Sequence, residues 1–441
     1  MRPEAAWAYH RGMNRLALAL VLLSGLVAAC NPTCPPDFHP IALPEFMVGL
    51  SQTPPTVVPI AQQLGVRYTR PTLAWRDLES TVVPLGLTVD YVRAHPELVT
   101  QFIAEHDWSS FDDEIGGMLA GGLTPVPIVG HGYVGTLPTY NGVPADPDHL
   151  GRDEYLARQY LVTRATVERY DADGDLDAPG SPHIRYWQTE NELNEAFLTA
   201  LWGWRTPSFT DAFGSAWQDW SYVSQILSTL RLAVKDADPT ALTTLNFHTD
   251  ISDALNQFLL QPTWLESIES WRLQMDFLGM DAYPNYYEST PVKGSVVGDR
   301  IVQIQGQSCG MPIVVMETGY PTGPSVEGFD ETQQVDYIQT AFDGAAGAGA
   351  SGFFLFGTQT SEQSTVDITP EDLANLALVA DAYDTGNIGE LLDFLVFNLD
   401  YIQTHFVYVL QAVEPYWGLV RADGTHKPSW DTYQAIAQSA H

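Results

Sequence analysis

Two glutamates and a small set of polar residues carry the chemistry that this sequence can do. Glu192 ends the run HIRYWQTENE, and Glu317 ends the apolar part of MPIVVMETGYP. Arg70, His131, Asn191, His248, Asp281, Tyr283 and Gln359 likewise close or follow apolar runs. Two carboxyl groups brought to one place from separate strand ends suit hydrolysis of a glycosidic bond. One protonates the leaving oxygen; the other attacks the anomeric carbon or activates water. The acid of such a pair needs a pKa raised by burial or by a second carboxylate, and an ionised nucleophile needs donors. Arg70 and Tyr283 are the donors at hand. Glu190, two residues before Glu192, shares its face on a regular strand and is read as structural or adjacent to substrate. His131 and His248 have no His-x-x-x-His or Cys-pair spacing around them, so zinc is not expected.

The elements that must position these residues are legible as alternation. Apolar runs at FMVGLS, VRYTRPT, LTPVPIVGHGY, HIRYWQTENE, ALTTLNFHTD, MDFLGMDAYP, MPIVVMETGYP and SGFFLFGTQ read as eight strands. Segments with helical periodicity separate them, among them DEYLARQYLVTRATVERY and DETQQVDYIQTAFDGAAGAG, the latter with Asp330 as N-cap. Runs without polar alternation fit strands covered on both faces. The reading is an α/β fold, a (β/α)8 TIM barrel, with functional groups at the C-terminal strand ends. A doubly wound sheet is disfavoured, because no Gly-rich loop follows the first strand. Residues 360–405 read as a helical insertion after strand eight; FVYVLQ is the alternative eighth strand, but SGFFLFGTQ follows helix seven at normal loop distance.

With the strands placed, YWQTENELN resembles the Trp…Asn-Glu-Pro-Asn signature that ends strand four in the retaining barrel glycosidases of clan A. PIVVMETGYP resembles their strand-seven nucleophile segment. LGVRYTRPTLAWRDLE and the tail YWGLVRADGTHKPSWDTYQAI are similar to their strand-two and closing segments. ETGYP is similar to the endo-1,4-β-galactanases, whereas the strand-four and tail segments look more like other families, so no single family is assigned. The resemblance implies Glu192 as general acid/base, Glu317 as nucleophile, Asn191 on the sugar 2-hydroxyl, and Arg70 and Tyr283 as supports of the nucleophile. It also implies retention of configuration. Two departures stand out: Leu193 replaces the usual Pro, and strand eight ends in Phe356-Gly357-Thr358-Gln359 where many members place a Trp platform. Trp75, Trp202, Trp204 and Trp417 fall in loops and are candidate sugar platforms, with Trp75, His131, His248 and Gln359 counted among the substrate-binding residues; Trp187 lies within strand four and reads as core.

The remaining features concern address and stability. Residues 1–29 read as a signal peptide, with Arg2, Arg11 and Arg15 before the apolar stretch LALALVLLSGLVAA. Val27-Ala28-Ala29-Cys30 resembles a bacterial lipobox, which implies cleavage before Cys30, lipidation of its thiol, and a lipid-anchored protein of the cell envelope. Residues 30–44 form a Pro-rich tether, and 45–441 the catalytic barrel. Cys34 and Cys309 both precede strands; a bond between them would pin the tether at the face opposite the site, in an oxidising compartment. With 20 Lys+Arg against 54 Asp+Glu, the net charge of −34 argues against nucleic acid and anionic lipid surfaces as partners and favours a neutral oligo- or polysaccharide. No cofactor is expected. Asp171, Asp173, Asp175 and Asp177 have the acid spacing of a calcium loop, but Gly174 and Pro182 stand where an EF-hand does not place them, so a structural calcium site competes with an acidic solvated loop. The sequence thus points to an exported, lipid-anchored hydrolase of a neutral β-linked glycan, with an inactive carbohydrate-binding barrel as the alternative.

Overall fold

Each of the eight apolar runs is a strand in the computed structural model. It describes residues 34–440 apart from 37, 52–54, 196–203, 207–213, 250–255, 257–260, 286–290, 324–328, 359–367, 386–387 and 411–412. Trp202, Gln359, Cys30 and the 1–29 segment therefore lie outside the described residues. The chain divides at Pro40 into two units. In the first, Cys34 is disulfide-bonded.

In the second unit the strands are β1 (Met47–Ser51), β2 (Tyr68–Arg70), β3 (in two pieces, Thr124–Pro125 and Ile128–Val129), β4 (Tyr186–Thr189), β5 (Leu242–His248), β6 (Phe277–Ala282), β7 (Ile313–Thr318) and β8 (Gly352–Phe356). All pair parallel, in chain order, and β8 pairs with β1. The first piece of β3 pairs with β2 and the second with β4, so the ring closes. The break has a simple cause. Pro125 and Pro127 have no N–H to give, so β3 pairs through Val126 N–H to the Thr69 carbonyl and through the Pro127 carbonyl to Gln188 N–H. Closure leaves the barrel sheet without an open edge.

The lower half of the barrel is packed with one or two side chains from each strand: Met47, Tyr68, Val126, Tyr186, Leu242, Phe277, Val314, Met316 and Phe354. Ile41 and Leu43 plug it from below. This apolar floor leaves the upper, C-terminal end for polar groups. Eight helices ring the strands: Val58–Leu64, Ser109–Ala120, Arg152–Glu168, Trp220–Ala237, Trp264–Trp271, Val296–Gln305, Glu331–Gly347 and Ser429–Ser439. Asp330 caps the seventh by accepting from the backbone of Thr332 and Gln333, as its sequence suggests. The eighth is fixed by Tyr433, whose hydroxyl donates to the Gly49 carbonyl of β1. Cys309, at the foot of β7, is disulfide-bonded.

The insertion between β8 and its helix is helical, with Pro370–Thr385, Ile388–Phe397 and a further helical stretch from Leu399 to Leu410. Asp372 joins its two arms by accepting from Tyr401 and contacting His405 Nε2 at 3.0 Å. FVYVLQ is thus not the eighth strand; its described residues are helical. Among the described residues no helix is long and apolar enough to cross a membrane.

Candidate active site

Arg70, the last residue of β2, is fully buried and organises the mouth of the barrel. Its guanidinium donates to Glu317 Oε1, through Nε to Gln188 Oε1 at 2.5 Å, and through Nη2 to Asn191 Oδ1 at 2.6 Å. Burial opposes its charge, but the nearby Glu317 and Asp281 carboxyls more than offset that and hold it protonated. Tyr283, just past β6, donates its hydroxyl to Glu317 Oε2 at 2.5 Å. Both oxygens of Glu317 are therefore engaged by donors. A register shift in β7 between Val315 and Glu317 aims that side chain inward and sets it beside Asp281 of β6.

Glu192 approaches from the opposite side. One oxygen each of Glu192, Asp281 and Glu317 lies within 4.8 Å of the others, and all three residues are buried. Burial first, and the Glu317 carboxylate second, push the Glu192 carboxyl up to about 8. The cause is desolvation plus like charge, the combination that keeps a general acid protonated near neutrality. Asn191 Nδ2 donates to Glu192 Oε2 at 3.3 Å, and Glu192 N–H donates to Asn246 Oδ1 at 3.1 Å. The backbone that delivers Glu192 is left-handed, with φ of 48°, and Glu190 has φ of 65°. Such positions cost non-glycine residues of the order of 1–3 kcal/mol each and cluster at functional sites.

The shared-face expectation for Glu190 fails for the same reason. β4 ends at Thr189, so strand alternation does not extend to residue 190. Glu190 instead accepts from Gly132 N–H at 2.7 Å and Asn191 N–H at 3.0 Å and pairs with Arg205 at 3.2 Å. It is a fully buried brace between the loops after β3 and β4. Gly132 permits it: a Cβ there would sit 2.7 Å from Glu190 Oε1 and 2.2 Å from Trp217.

His131 follows β3 beside Tyr133, with ring centroids 4.8 Å apart. Neither ring nitrogen has a hydrogen-bond partner among the described residues. Burial, then Arg205 and Arg70, hold its pKa well below the usual range, so it is a neutral imidazole. Tyr133 in turn packs against Trp204 at 5.3 Å, which gives an aromatic wall on this side. His248 ends β5, pairs with Glu195 at 3.2 Å and stacks on Tyr283 at 5.9 Å. Trp75 is buried, and its indole N–H donates to Glu79 at 3.1 Å, which leaves it outside the hydrogen-bonded cluster. Trp187 is fully buried core.

Trp417 is buried beside the end of β8. It stacks on Tyr283 at 4.8 Å and 9°, and meets Phe356 edge-on at 5.0 Å. The tail brings it there by pairing Leu419 N–H with the Thr358 carbonyl at 3.0 Å. Three further residues of the network carry no motif: Gln188, Asn246 and Asp281. Gln188 Nε2 donates to Asn246 Oδ1 at 2.7 Å, and Asn246 Nδ2 donates to Asn191 Oδ1 at 2.7 Å and to Asp281 Oδ2. A polar side chain inside an otherwise apolar strand, two residues before a strand-end polar group, is the signal that points to Gln188 and Asn246.

The acidic loop is a separate feature. Glu168, Asp171 and Asp173 each place an oxygen within 4.8 Å of the others. Asp173 accepts from Asp175 N–H at 2.8 Å, and Asp177 accepts from Gly174 N–H at 3.2 Å. Glu168, from the preceding helix, thus joins the cluster in place of Asp175 and Asp177.

No protein-family model matches the sequence, and no curated protein matches it. Solved structures do share its fold. A glucosidase from Croceicoccus marinus superimposes with a TM-score of 0.54 at 12% identity, over 91% of this chain and 69% of that one. A beta-glycosidase gives 0.52 at 15% identity, over 88% and 86%. The beta-galactosidase from Bacillus circulans sp. alkalophilus gives 0.52 at 12% identity, over 90% of this chain and 56% of that larger one. The closed ring of eight parallel strands inside a ring of helices makes this chain a (β/α)8 TIM barrel, and its fold is similar to those of these three structures.

Proposed function

We propose that this protein is a glycoside hydrolase that cleaves a neutral β-linked glycan with retention of configuration. The observation that carries the proposal is the proximity of Glu192 and Glu317 oxygens, within 4.8 Å, in differently tuned surroundings. Retaining carboxyl pairs stand ~5–5.5 Å apart and inverting pairs ~6.5–9.5 Å apart; retention is what the clan A resemblance implies. Glu317, fixed by Arg70 and Tyr283, attacks the anomeric carbon as a carboxylate. Glu192 gives its proton to the departing oxygen, then takes a proton from water as that water displaces Glu317. Asn191, itself held by Arg70 and Asn246, is placed to bond the sugar hydroxyl next to the reacting carbon. Trp417, stacked on Tyr283, backs that subsite from beneath. Arg70 and Arg205, at the mouth, are each committed to a carboxylate, which favours an uncharged substrate. The reading that the chain is exported and lipid-anchored at Cys30 rests on the lipobox resemblance and is tested by acyl labelling of wild type and Cys30→Ser.

The test is hydrolysis of a panel of aryl β-glycosides and neutral polysaccharides by wild type, Glu317→Ala and Glu192→Ala. Turnover by wild type that collapses in both variants supports the assignment. Turnover unaffected by either change refutes it. Proton NMR of the first product separates retention from inversion, and glycan binding without turnover would indicate a binding barrel.

A further inference from the structure

Asp281 is a third carboxyl in the site, and the two-glutamate mechanism gives it no role. It is fully buried at the end of β6, in register with Glu317 on one side and His248 on the other. Its Oδ2 accepts from Asn246 Nδ2. Its Oδ1 is buried, and no described residue donates a hydrogen bond to it. The groups facing it are Glu192 from β4, Glu317 from β7, Arg70 from β2, and Tyr283 and His248. Arg70 is directly bonded to Glu317, and the Tyr283 hydroxyl is given to Glu317 as well. Arg205 is paired with Glu190. A carboxylate accepts on both oxygens; among the described residues Asp281 receives one side-chain donor, and the Glu192 and Glu317 carboxyls each bring an oxygen within 4.8 Å.

We infer that Asp281 stands in the site as a neutral carboxylic acid whose Oδ1–H donates to the Glu192 carboxyl. The inference rests on the glycosidase reading for its purpose, though not for its test. The hydrogen-bond pattern is self-consistent: Oδ2 accepts from Asn246 while Oδ1 gives to Glu192. Burial and the flanking Glu317 and Glu192 carboxyls also favour the protonated form of Asp281. In the cycle, Glu192 transfers its own proton to the leaving oxygen and becomes a carboxylate in a dry, acidic pocket. The Asp281 proton stays on Asp281 and stabilises that carboxylate by hydrogen bonding, ready for it to accept a proton from water. Asp281 is thus a positioning residue that acts through Glu192. A divalent cation among the three carboxyls would answer the same crowding of oxygens, but both Glu317 oxygens already receive hydrogen bonds.

The experiment is carbon-13 NMR of the full chain labelled at the aspartate carboxyl carbon, in EDTA, from about pH 5 to about pH 8, where an ordinary aspartate with pKa near 3.9 is ionised. One resonance held at the protonated position across this range, and missing in Asp281→Asn, is the expected result. If the resonance missing in Asp281→Asn is at the ionised position by about pH 6, or if calcium or magnesium moves it there, the inference is overturned. Labelling the glutamate carboxyl carbon tests the link to Glu192. Asp281→Asn keeps an acceptor for Asn246 and a donor for Glu192, whereas Asp281→Leu keeps neither. The Glu192 midpoint should therefore rise in Asp281→Leu and move less in Asp281→Asn, and the opposite order overturns the link. On any glycoside that wild type turns over, kcat/KM should fall about 10–100-fold further in Asp281→Leu than in Asp281→Asn, the scale of one hydrogen bond to a charged group. Absence of turnover in wild type would refute the glycosidase reading, while the protonation state of Asp281 would still be decided by its NMR titration.

Discussion

Replacing Glu192 by Gln should make the protein inactive and, near pH 8, more stable. Glu192 is 5% exposed, and its carboxyl is pushed up to about 8 from an ordinary 4.5, by burial first and by Glu317 second. Between these two values the unfolded chain is ionised at this residue and the native state is not. The native state then binds one more proton, so stability falls as pH rises through the window. At 1.36 kcal/mol per unit, the window is worth about 3–5 kcal/mol, fully felt only above pH 8 and absent below pH 4.5. Gln has nearly the same shape and no titration. The assay is urea unfolding of wild type and Glu192→Gln at several pH values from 4 to 9. The two stabilities should agree near pH 4 and diverge steadily in favour of the variant up to about pH 8. Activity runs the other way. Loss of a general acid/base costs about 10²–10⁴-fold, and the fall of kcat/KM above pH 8 should vanish with the carboxyl. Parallel stability curves, or a basic limb that survives in the variant, would refute the assignment of Glu192 as a buried acid.

Arg70→Met removes the only guanidinium bonded to Glu317 among the described residues and leaves that carboxyl buried with Tyr283 alone; unfolding free energy should drop by about 3–5 kcal/mol, read by denaturant titration. Trp417→Phe trims the ring stacked on Tyr283, and kcat/KM should fall up to about tenfold, mostly through KM, in steady-state kinetics. Glu190→Gln removes the carboxylate paired with the buried Arg205 and should also cost about 3–5 kcal/mol of stability, while kcat of the folded enzyme changes far less than in Glu192→Gln. An equal loss of kcat in the two would mean that Glu190 touches substrate and is not a brace.

The eight strands were legible because each is an apolar run, and a barrel strand is covered on both faces. Glu192, Glu317, Arg70 and Tyr283 were legible because strand ends are where such a fold exposes polar groups. What stayed hidden depends on register and backbone twist. The shift in β7 that sets Glu317 beside Asp281 has no signature in IVVMET, nor do the left-handed turns at Glu190 and Glu192 in TENE. Asp281 reads as one more strand-end acid until its neighbours are known. Helices Val89–Ala94 and Glu97–Glu105, between β2 and β3, escaped because Pro96 cuts one amphipathic stretch into two short pieces. FVYVLQ misleads in the other direction: its β-branched and aromatic residues suit a strand. Yet Phe406 packs on Phe394 at 5.3 Å and on Tyr401 at 5.9 Å, so packing within the insertion overrides local preference.

The departure at the end of strand eight is explained by how the chain is threaded after β8. At the end of strand eight, Trp417 fills the space between Tyr283 and Phe356. Here the chain leaves after Thr358, builds the helical insertion, and returns so that Leu419 pairs with Thr358 itself. The end of β8 is thus completed by two segments far apart in sequence, and the second one supplies the aromatic ring. Lys427 locks the return: its ammonium donates to Thr322 at 2.8 Å, in the loop after β7, and to the Tyr416 carbonyl at 2.9 Å, next to Trp417. The loop after β7 and the segment that carries Trp417 are therefore tied by one buried cation. Leu193 is accommodated more simply. Proline would fix the backbone just after the left-handed Glu192; here Asn194 does that work by bonding both the N–H and the carbonyl of His248, at 3.1 and 2.9 Å. In both places a covalent preference is replaced by a long-range hydrogen bond, which preserves the geometry around Glu192 and Glu317 while erasing its local signature.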